Sequence, residues 1–397
     1  MRKEVLLEHA SEIADWIVDL RRKIHHHPEL SYEEKETAAL ISATLKDLGL
    51  VVYEDIGGYG VVGILRGKLP GKTVALRADI DALPIQELVD LPFKSVYENR
   101  MHACGHDAHI AILLGAARVL SEGKHPEKGN IKFIFQPAEE VPPEGGAKGL
   151  IAAGVLEEPS VDAIFGLHIW PDLPTGTVGV KSGPIMAAPD RFHIVIQGKG
   201  GHGAAPHHTL DTVVTAAEVV LGLQTLVSRK LDPLKPAVLS ICKINAGMAY
   251  NILPDEVFLE GTTRYFDTEM GSVIEEHIDR TISGICASNN CTYKLDYQYG
   301  FPPTVNDPHM TSLVERAATY VLGENNVNRL EEPSMTGEDF SYFLQKVPGC
   351  FFWLGTRNSD EGIVHPLHSA RFQLDEAILP KGTAVLSTTA LAFLDTE

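Results

Sequence analysis

A thiol and three imidazoles, Cys104 with His102, His106 and His109, crowd into the stretch MHACGHDAHIAILLGAA at residues 101–117. Cys104 and His106 lie two apart, a spacing that cannot place both side chains on one helix face, so both are expected on a loop leading into a helix. Gly105 allows that loop to bend tightly. Asp107 suits an N-cap, and Ile110, Leu113, Leu114 and Ala117 then repeat at helical spacing. A thiolate and a neutral imidazole at such a corner suit zinc or a neighbouring transition metal, and the adjacent helix N-terminus favours the ionised thiol. A buried free cysteine beside surface histidines accounts for the same residues, because Cys-x-His lacks the paired spacing of a zinc finger.

Other groups with chemistry to offer are spread along the chain. RADIDALP sets Asp79 and Asp81 two apart at the end of a strand, on a shared face if the strand continues, or else in a solvated turn closed by Pro84. Glu139 and Glu140 directly follow the apolar strand IKFIFQ and Pro137. Adjacent carboxylates there can divide labour, one ligating a metal and the other taking a proton from water, although a charged loop reads the same way. His168 sits near the end of AIFGLHIW, where a hydrogen-bonded core histidine is the simpler account. HPLHSARF supplies His365 and His368. GKGGHGAAPHH puts His202 and His207 in a glycine-rich loop able to approach a ligand closely. Asn251 and Arg264 can hold a carboxylate. Each of these, taken singly, also reads as solvated structure.

The elements that must position these groups follow from periodicity. Leu6, Ala10, Ile13, Ile17, Leu20 and Ile24 mark one stripe of a first helix ending near Pro28, and a second helix is expected over 31–48. Strands at 60–65, 73–78, 131–136 and AIFGLHIW, separated by the helix after residue 101 and another at 149–154, put the acids, the Met101 corner and His168 at successive carboxyl ends of a parallel sheet or in the loops beyond. Between about 189 and 300 the pattern becomes strand, helix, strand, strand, helix, strand, the ferredoxin-like order. A helix at 309–322, the turn MTGEDFS, the strand CFFWLG and a last apolar-striped helix then resume the first pattern. The expected organisation is a mixed-sheet α/β catalytic domain in two parts, 1–186 and 301–397, interrupted by an insert at 187–300.

With 397 residues, 44% of them hydrophobic, the chain can bury a large core. The 34 basic against 53 acidic residues, a formal net charge of −19, argue against nucleic acid or an anionic membrane as partner. Five cysteines without a Cys-x-x-Cys pair fit a reducing cytoplasm, and no apolar run approaches the ~20 residues of a bilayer span.

RRKIHHHPELSYEE, ALRADIDALPI, MHACGHDAHIA, FQPAEE, FGLHIWPDLPTG, GKGGHGAAPH, NILPDE, TGEDFS and HPLHS occur in an order that resembles the aminoacylase and glutamate-carboxypeptidase family of metal-dependent amidohydrolases. The likeness covers essentially the whole chain and is nearest to the branch with hippurate hydrolases, auxin-conjugate hydrolases, N-acetyl-diaminopimelate deacetylases and thermostable archaeal carboxypeptidases. It implies two divalent metal ions per subunit, zinc first, with manganese, cobalt or nickel as alternatives. It also implies that the insert is a lid that joins subunits into a dimer or tetramer. By position, the ligands would be Cys104, His106, Glu140, His168 and His368, with Glu139 as general base and acid and Asp79 supporting the metals. His202 would reach the scissile carbonyl oxygen, and Asn251 and Arg264 would hold the substrate carboxylate, with His207 beside them. Better-known branches carry a His-x-Asp ligand motif where this chain has Arg77, Ala78 and Asp79, so the Cys104 thiolate would replace the missing imidazole.

The reaction so implied is hydrolysis of an N-acyl amino acid or a short peptide. A cysteine hydrolase using Cys104 with His106 or His109 as base, and a metal-bearing protein without catalysis, are the rival readings.

Overall fold

The computed structural model describes residues 4–123 and 126–396. Two compact units divide the chain: residues 1–185, 305–333 and 339–397 form one, and residues 186–304 with 334–338 form the other.

The first unit is built on a mixed sheet of eight strands, in the order Val51–Ile56, Gly60–Arg66, Lys128–Gln136, Leu69–Asp79, Ala163–Pro174, Gly349–Arg357, Val178–Val180 and Val327–Arg329. Leu69–Asp79 runs parallel to both its neighbours, and Gly349–Arg357 runs parallel to Ala163–Pro174. Side chains alternate across a strand, and that alternation sorts these sequences. Val74, Leu76 and Ala78, like Phe165, Leu167 and Ile169, enter the core shared with His106–Arg118, Leu379–Leu394, Ala14–His26 and Pro308–Leu322. Arg77 and Asp79, Gly166, His168 and Trp170 therefore face the other side.

Several expectations need correction. The first helical stripe is two helices, Glu4–Glu12 and Ala14–His26, because Ile13 leaves helical geometry at φ −99° and ψ 11°. The second helix begins only at Lys35, after a turn containing Tyr32 at φ 67°. The helix expected at 149–154 spans Gly145–Ala152. Among the described residues one helix, Glu376–Leu394, is long and apolar enough to cross a membrane; it is mostly buried in the core.

In the second unit the sheet order is Ala237–Ala246, Glu256–Tyr265, Ala188–Gln197 and Thr292–Gln298, antiparallel throughout. Numbered along the chain this is 2-3-1-4, the ferredoxin-like topology. Thr212–Arg229 and Met270–Ser288 bury Val219, Leu223, Ile274, Ile278 and Ile282 against Phe192, Ile194, Ile196, Val257 and Leu259.

Candidate metal centre

In the first unit the structure gathers five dispersed donors. Cys104 Sγ lies 3.4 Å from His168 Nε2 and 3.3 Å from His368 Nε2. Glu140 Oε1 is 3.1 Å from His368 Nε2 and 4.0 Å from His106 Nε2. The donor atoms of Cys104, His106 and His168 lie within 4.8 Å of one another, as do those of Cys104, Glu140 and His368, and those of His106, Glu139 and Glu140. Overlapping triads of this kind suit a pair of ions, which in two-metal hydrolases stand about 3.5–4 Å apart.

The second ring nitrogen of each histidine fixes what the first can do. His106 Nδ1 is 3.1 Å from Asp81 Oδ1, and His168 Nδ1 is 2.7 Å from the Ile169 carbonyl oxygen. Both rings thus donate from Nδ1; neutral His168 presents a lone pair on Nε2, and His106 would do so once a cation displaces its Nε2 proton. His109 is different. Its Nδ1 is 2.5 Å from Asp79 Oδ1 while its Nε2 accepts from the Ile169 amide at 3.0 Å, so neither nitrogen is open to a metal. His106 Nε2 is buried without a hydrogen-bond partner, 4.0 Å from Glu140 Oε1. An unpaired buried polar atom costs about 1–3 kcal/mol, which a cation between the two would remove. The donor set fits two divalent ions.

Charges point the same way. Burial opposes the His106 imidazolium, yet the Asp79, Asp81 and Glu140 carboxylates together raise it to about 10. Burial, and then Glu140, Glu139 and Asp79, push the Cys104 thiol well above its usual range. The helix N-terminus expected to favour the thiolate is outweighed by burial and these carboxylates, and a cation at the site would act against both. Burial also opposes the Asp79 carboxylate, but His106, His109 and Arg77 hold it well below the usual carboxylate range.

The backbone is bent to deliver these groups. Gly105, at φ 84°, is the N-cap of His106–Arg118, so His106 opens the helix rather than standing on the loop before it. Asp107 does not cap that helix. Its Oδ2 takes the Arg21 Nε proton at 2.7 Å and lies 2.8 Å from His25 Nδ1, linking the helix to Ala14–His26. At the site itself, two non-glycine residues, Ala138 at φ 55° and His368 at φ 60°, adopt the left-handed conformation, the first directly before Glu139. Behind the strand ends, Arg77 is fully buried between Asp79 Oδ2 at 2.7 Å, Asp339 Oδ1 at 2.8 Å and Gln136 Oε1 at 2.9 Å. Beside His168, Trp170 stacks on Trp353 with ring centroids 3.9 Å apart and planes 2° from parallel. The Trp170 ring is 6.0 Å from that of His168.

In the second unit, His202 and Asn251 are neighbours: His202 pairs with Ile252 across a two-stranded ribbon, and the Gly203 amide donates to the Asn251 carbonyl at 2.9 Å. His202 Nδ1 accepts from the Ala204 amide at 3.0 Å, which leaves Nε2 protonated and able to donate. His207 is exposed on the turn Pro206–His208, its ring tilted against that of His208. Arg264 is not brought to this group. It lies near the far end of Glu256–Tyr265, on the order of 25 Å away at ~3.4 Å per residue, and donates to the Thr263 carbonyl at 2.8 Å.

A Cys, His, His, His and Glu donor set, buried at Cys104, His106 and His168 and opening to solvent at His368, beside a second glutamate, is the observation that gives the known proteins their meaning. Peptidase family M20/M25/M40 matches residues 75–392. This chain belongs to that family. Thermostable carboxypeptidase 1 of Saccharolobus solfataricus is 44% identical over 392 residues, 98% of each chain. N-acetylcysteine deacetylase of Bacillus subtilis is 40% identical over 96% of this chain and 97% of its own. An IAA-amino acid hydrolase of Arabidopsis thaliana is 40% identical over 99% of this chain and 89% of its own. Among solved structures, a dinuclear metal-binding peptidase of Bacillus subtilis matches at TM-score 0.85 and 36% identity, covering 98% of this chain and all of that one.

Within this M20 chain the aspartate in contact with a ligand-candidate histidine is Asp81; Asp79, singled out from sequence for supporting the metals, bonds His109 and Arg77 and stands 3.8 Å from His106 Nδ1. The signal available in sequence was the spacing of Asp79 and Asp81 alone, which does not say which acid meets which ring. Asp339, in the turn MTGEDFS, is a second residue that sequence reasoning gave no role; it accepts from Arg77, Gln136 and the Ala147 amide.

Proposed function

We propose that this M20 peptidase hydrolyses the amide bond of N-acyl amino acids or the C-terminal peptide bond of short peptides, using two divalent cations and Glu139. The observation that carries the reading is the convergence of Cys104, His106, Glu140, His168 and His368 in overlapping donor triads, with His106 Nε2 buried and without a hydrogen-bond partner. Those five residues would hold the ions, zinc first, with manganese, cobalt or nickel as alternatives. Bound there, a divalent cation supplies an acidified water and a polarised carbonyl, which an unreactive amide needs.

The remaining work falls to side chains. Glu139, 6% exposed and within the same donor group as His106 and Glu140, takes a proton from the attacking water and returns it to the leaving nitrogen. His202, with its Nε2 proton available, would donate to the oxyanion; loss of such a donor typically costs ~10²–10³ in rate. Asn251, Arg264 and His207 would receive the substrate carboxylate. An amino-acid-sized substrate does not span the distance from Asn251 to Arg264, so a site using both draws them from two chains. That supports a homodimer or a tetramer joined through the insert. Five free cysteines support a cytoplasmic setting.

The names of the relatives support the substrate class: a carboxypeptidase, an N-acetylcysteine deacetylase and an IAA-amino acid hydrolase. Against the cysteine-nucleophile reading stands the Cys104 thiol itself, buried among carboxylates that oppose its ionisation.

The test is a panel of N-acyl amino acids and dipeptides assayed before and after chelation, with zinc, manganese, cobalt and nickel added back singly. Activity should vanish and return with metal, and Glu139→Gln should lose at least ~10²-fold in kcat while keeping its ions. Activity that survives complete metal removal would overturn the reading.

A further inference from the structure

The motif HPELSYEE, residues 27–34, has no part in the proposed chemistry, yet it lies against the site. Leu30 bridges Ala82 in parallel, and the Ala82 amide donates to the Glu29 carbonyl at 2.8 Å. From this segment three side chains reach three targets. Glu29 accepts from the amides of Glu36 and Thr37 at 3.0 and 2.7 Å and so caps Lys35–Asp47. Ser31 Oγ donates to Asp81 Oδ2 at 2.7 Å, the carboxylate that also orients His106.

Glu34 goes elsewhere. It occupies the N-cap position of Lys35–Asp47 but its side chain does not cap that helix. Instead it is fully buried, and Oε1 accepts from the Ala138 amide at 2.8 Å. Ala138 is one of the two left-handed residues at the site, and its carbonyl accepts from the Gly146 amide at 2.9 Å. A left-handed alanine is strained, so a hydrogen bond on each side is what holds the turn. That turn sets the direction in which Glu139 and Glu140 leave the strand Lys128–Gln136. A bent backbone one residue before a base and a ligand must be fixed to a fraction of an ångström for either to act.

We propose that residues 29–34 form a brace for the metal corner, in which the Glu34 carboxyl holds Ala138 left-handed and so aims Glu139 and Glu140, while Ser31 steadies Asp81. Glu34 is a positioning residue and touches no substrate. The inference rests on the metallohydrolase reading for the importance of what is aimed. Burial and then Asp81 push Glu34 up to about 7 against the pull of three amides, so an uncharged acceptor is a close stand-in.

The experiment compares wild type with Glu34→Gln, Glu34→Ala and the double variant Glu34→Ala/Ala138→Gly, in kcat, KM, metal affinity of the chelated protein and its Tm. Glu34→Ala should lose at least ~10-fold in kcat with KM within ~3-fold, and ~10-fold in metal affinity. Glu34→Gln should stay within ~3-fold of wild type. Glycine enters the left-handed region without penalty, so Ala138→Gly should recover at least ~3-fold of the Glu34→Ala loss. Should Glu34→Ala fail to fold, Glu34→Asp carries the same test, since it keeps the acid and withdraws the oxygen by one methylene. Wild-type kcat and metal affinity in Glu34→Ala or Glu34→Asp would overturn the brace. So would a loss that follows Tm alone and that Ala138→Gly does not relieve. A wild-type protein that binds no metal would instead overturn the metallohydrolase reading, with the coupling of Glu34 and Ala138 in Tm still deciding the brace.

Discussion

Asp81 ties two ligand candidates together: its Oδ1 is 3.1 Å from His106 Nδ1, and its Oδ2 accepts from the Glu140 amide at 3.0 Å. One buried carboxylate therefore sets the tautomer of an imidazole and the path of the backbone that carries a glutamate.

Removing it should be felt in metal binding first. Asp81→Ala is expected to weaken metal affinity about 10–100-fold, the usual effect of losing a partner behind a ligating histidine. Asp79→Ala should behave differently, because it leaves Arg77 buried with one fewer anion; a destabilisation of about 3–5 kcal/mol is expected. Metal titration and urea unfolding of the two proteins separate the outcomes, and equal metal affinities in wild type and Asp81→Ala would contradict the assignment.

Cys104 is the soft member of the donor set. Cys104→Ser should lower zinc affinity more than manganese affinity, since a hydroxyl is a poor match for the softer ion. The ratio of the two dissociation constants is the readout, and it should move toward manganese by at least ~10-fold.

Stability should depend on pH through His25. Its ring lies between two buried carboxylates, with Nδ1 2.8 Å from Asp107 Oδ2 and Nε2 3.2 Å from Glu87 Oε1. Burial opposes its charge, but Asp107 and Glu87 prevail and raise its pKa above 6.5. A base whose folded pKa is raised contributes stability that is complete below the unfolded value, near 6.5, and that is lost as pH rises through the folded one. Urea midpoints of the wild type should therefore fall on going from pH 6.5 into the alkaline range, while His25→Gln starts lower and changes less. A constant difference between the two proteins across that range would count against the imidazolium.

Gly105 is closed to a larger residue on two counts. At φ 84° an alanine is strained, and its methyl would run into the Ile169 side chain. Gly105→Ala is expected to destabilise by about 2–4 kcal/mol and to displace Cys104 and His106. Ile169→Val in the same protein should recover part of the Tm, because the isoleucine tip is what the methyl meets.

Elements whose signal is local were legible in the sequence. The strand AIFGLHIW, the helix carrying Ile110, Leu113, Leu114 and Ala117 and the strand-helix order of residues 188–298 follow from periodicity, and the motifs in order pointed to the M20 family. What escaped depends on partners far along the chain. Asp107 has the type and place of an N-cap, but Arg21, 86 residues earlier, takes its carboxylate. His109 has the spacing of a ligand, but Asp79 and the Ile169 amide occupy its nitrogens. Glu34 reads as one more acid on a polar helix start until Ala138 is seen at its tip. No pattern within a dozen residues carries such information.

The stacked indoles have a use for the experimenter. Three tryptophans are present in the chain, and two of them, Trp170 and Trp353, form one dye-like pair a ring's width from His168. When a cation takes the lone pair of that imidazole, the field across the indole pair changes, and with it the colour and yield of the protein's own ultraviolet emission. Occupancy of the centre can thus be followed by fluorescence, without a substrate and without a label.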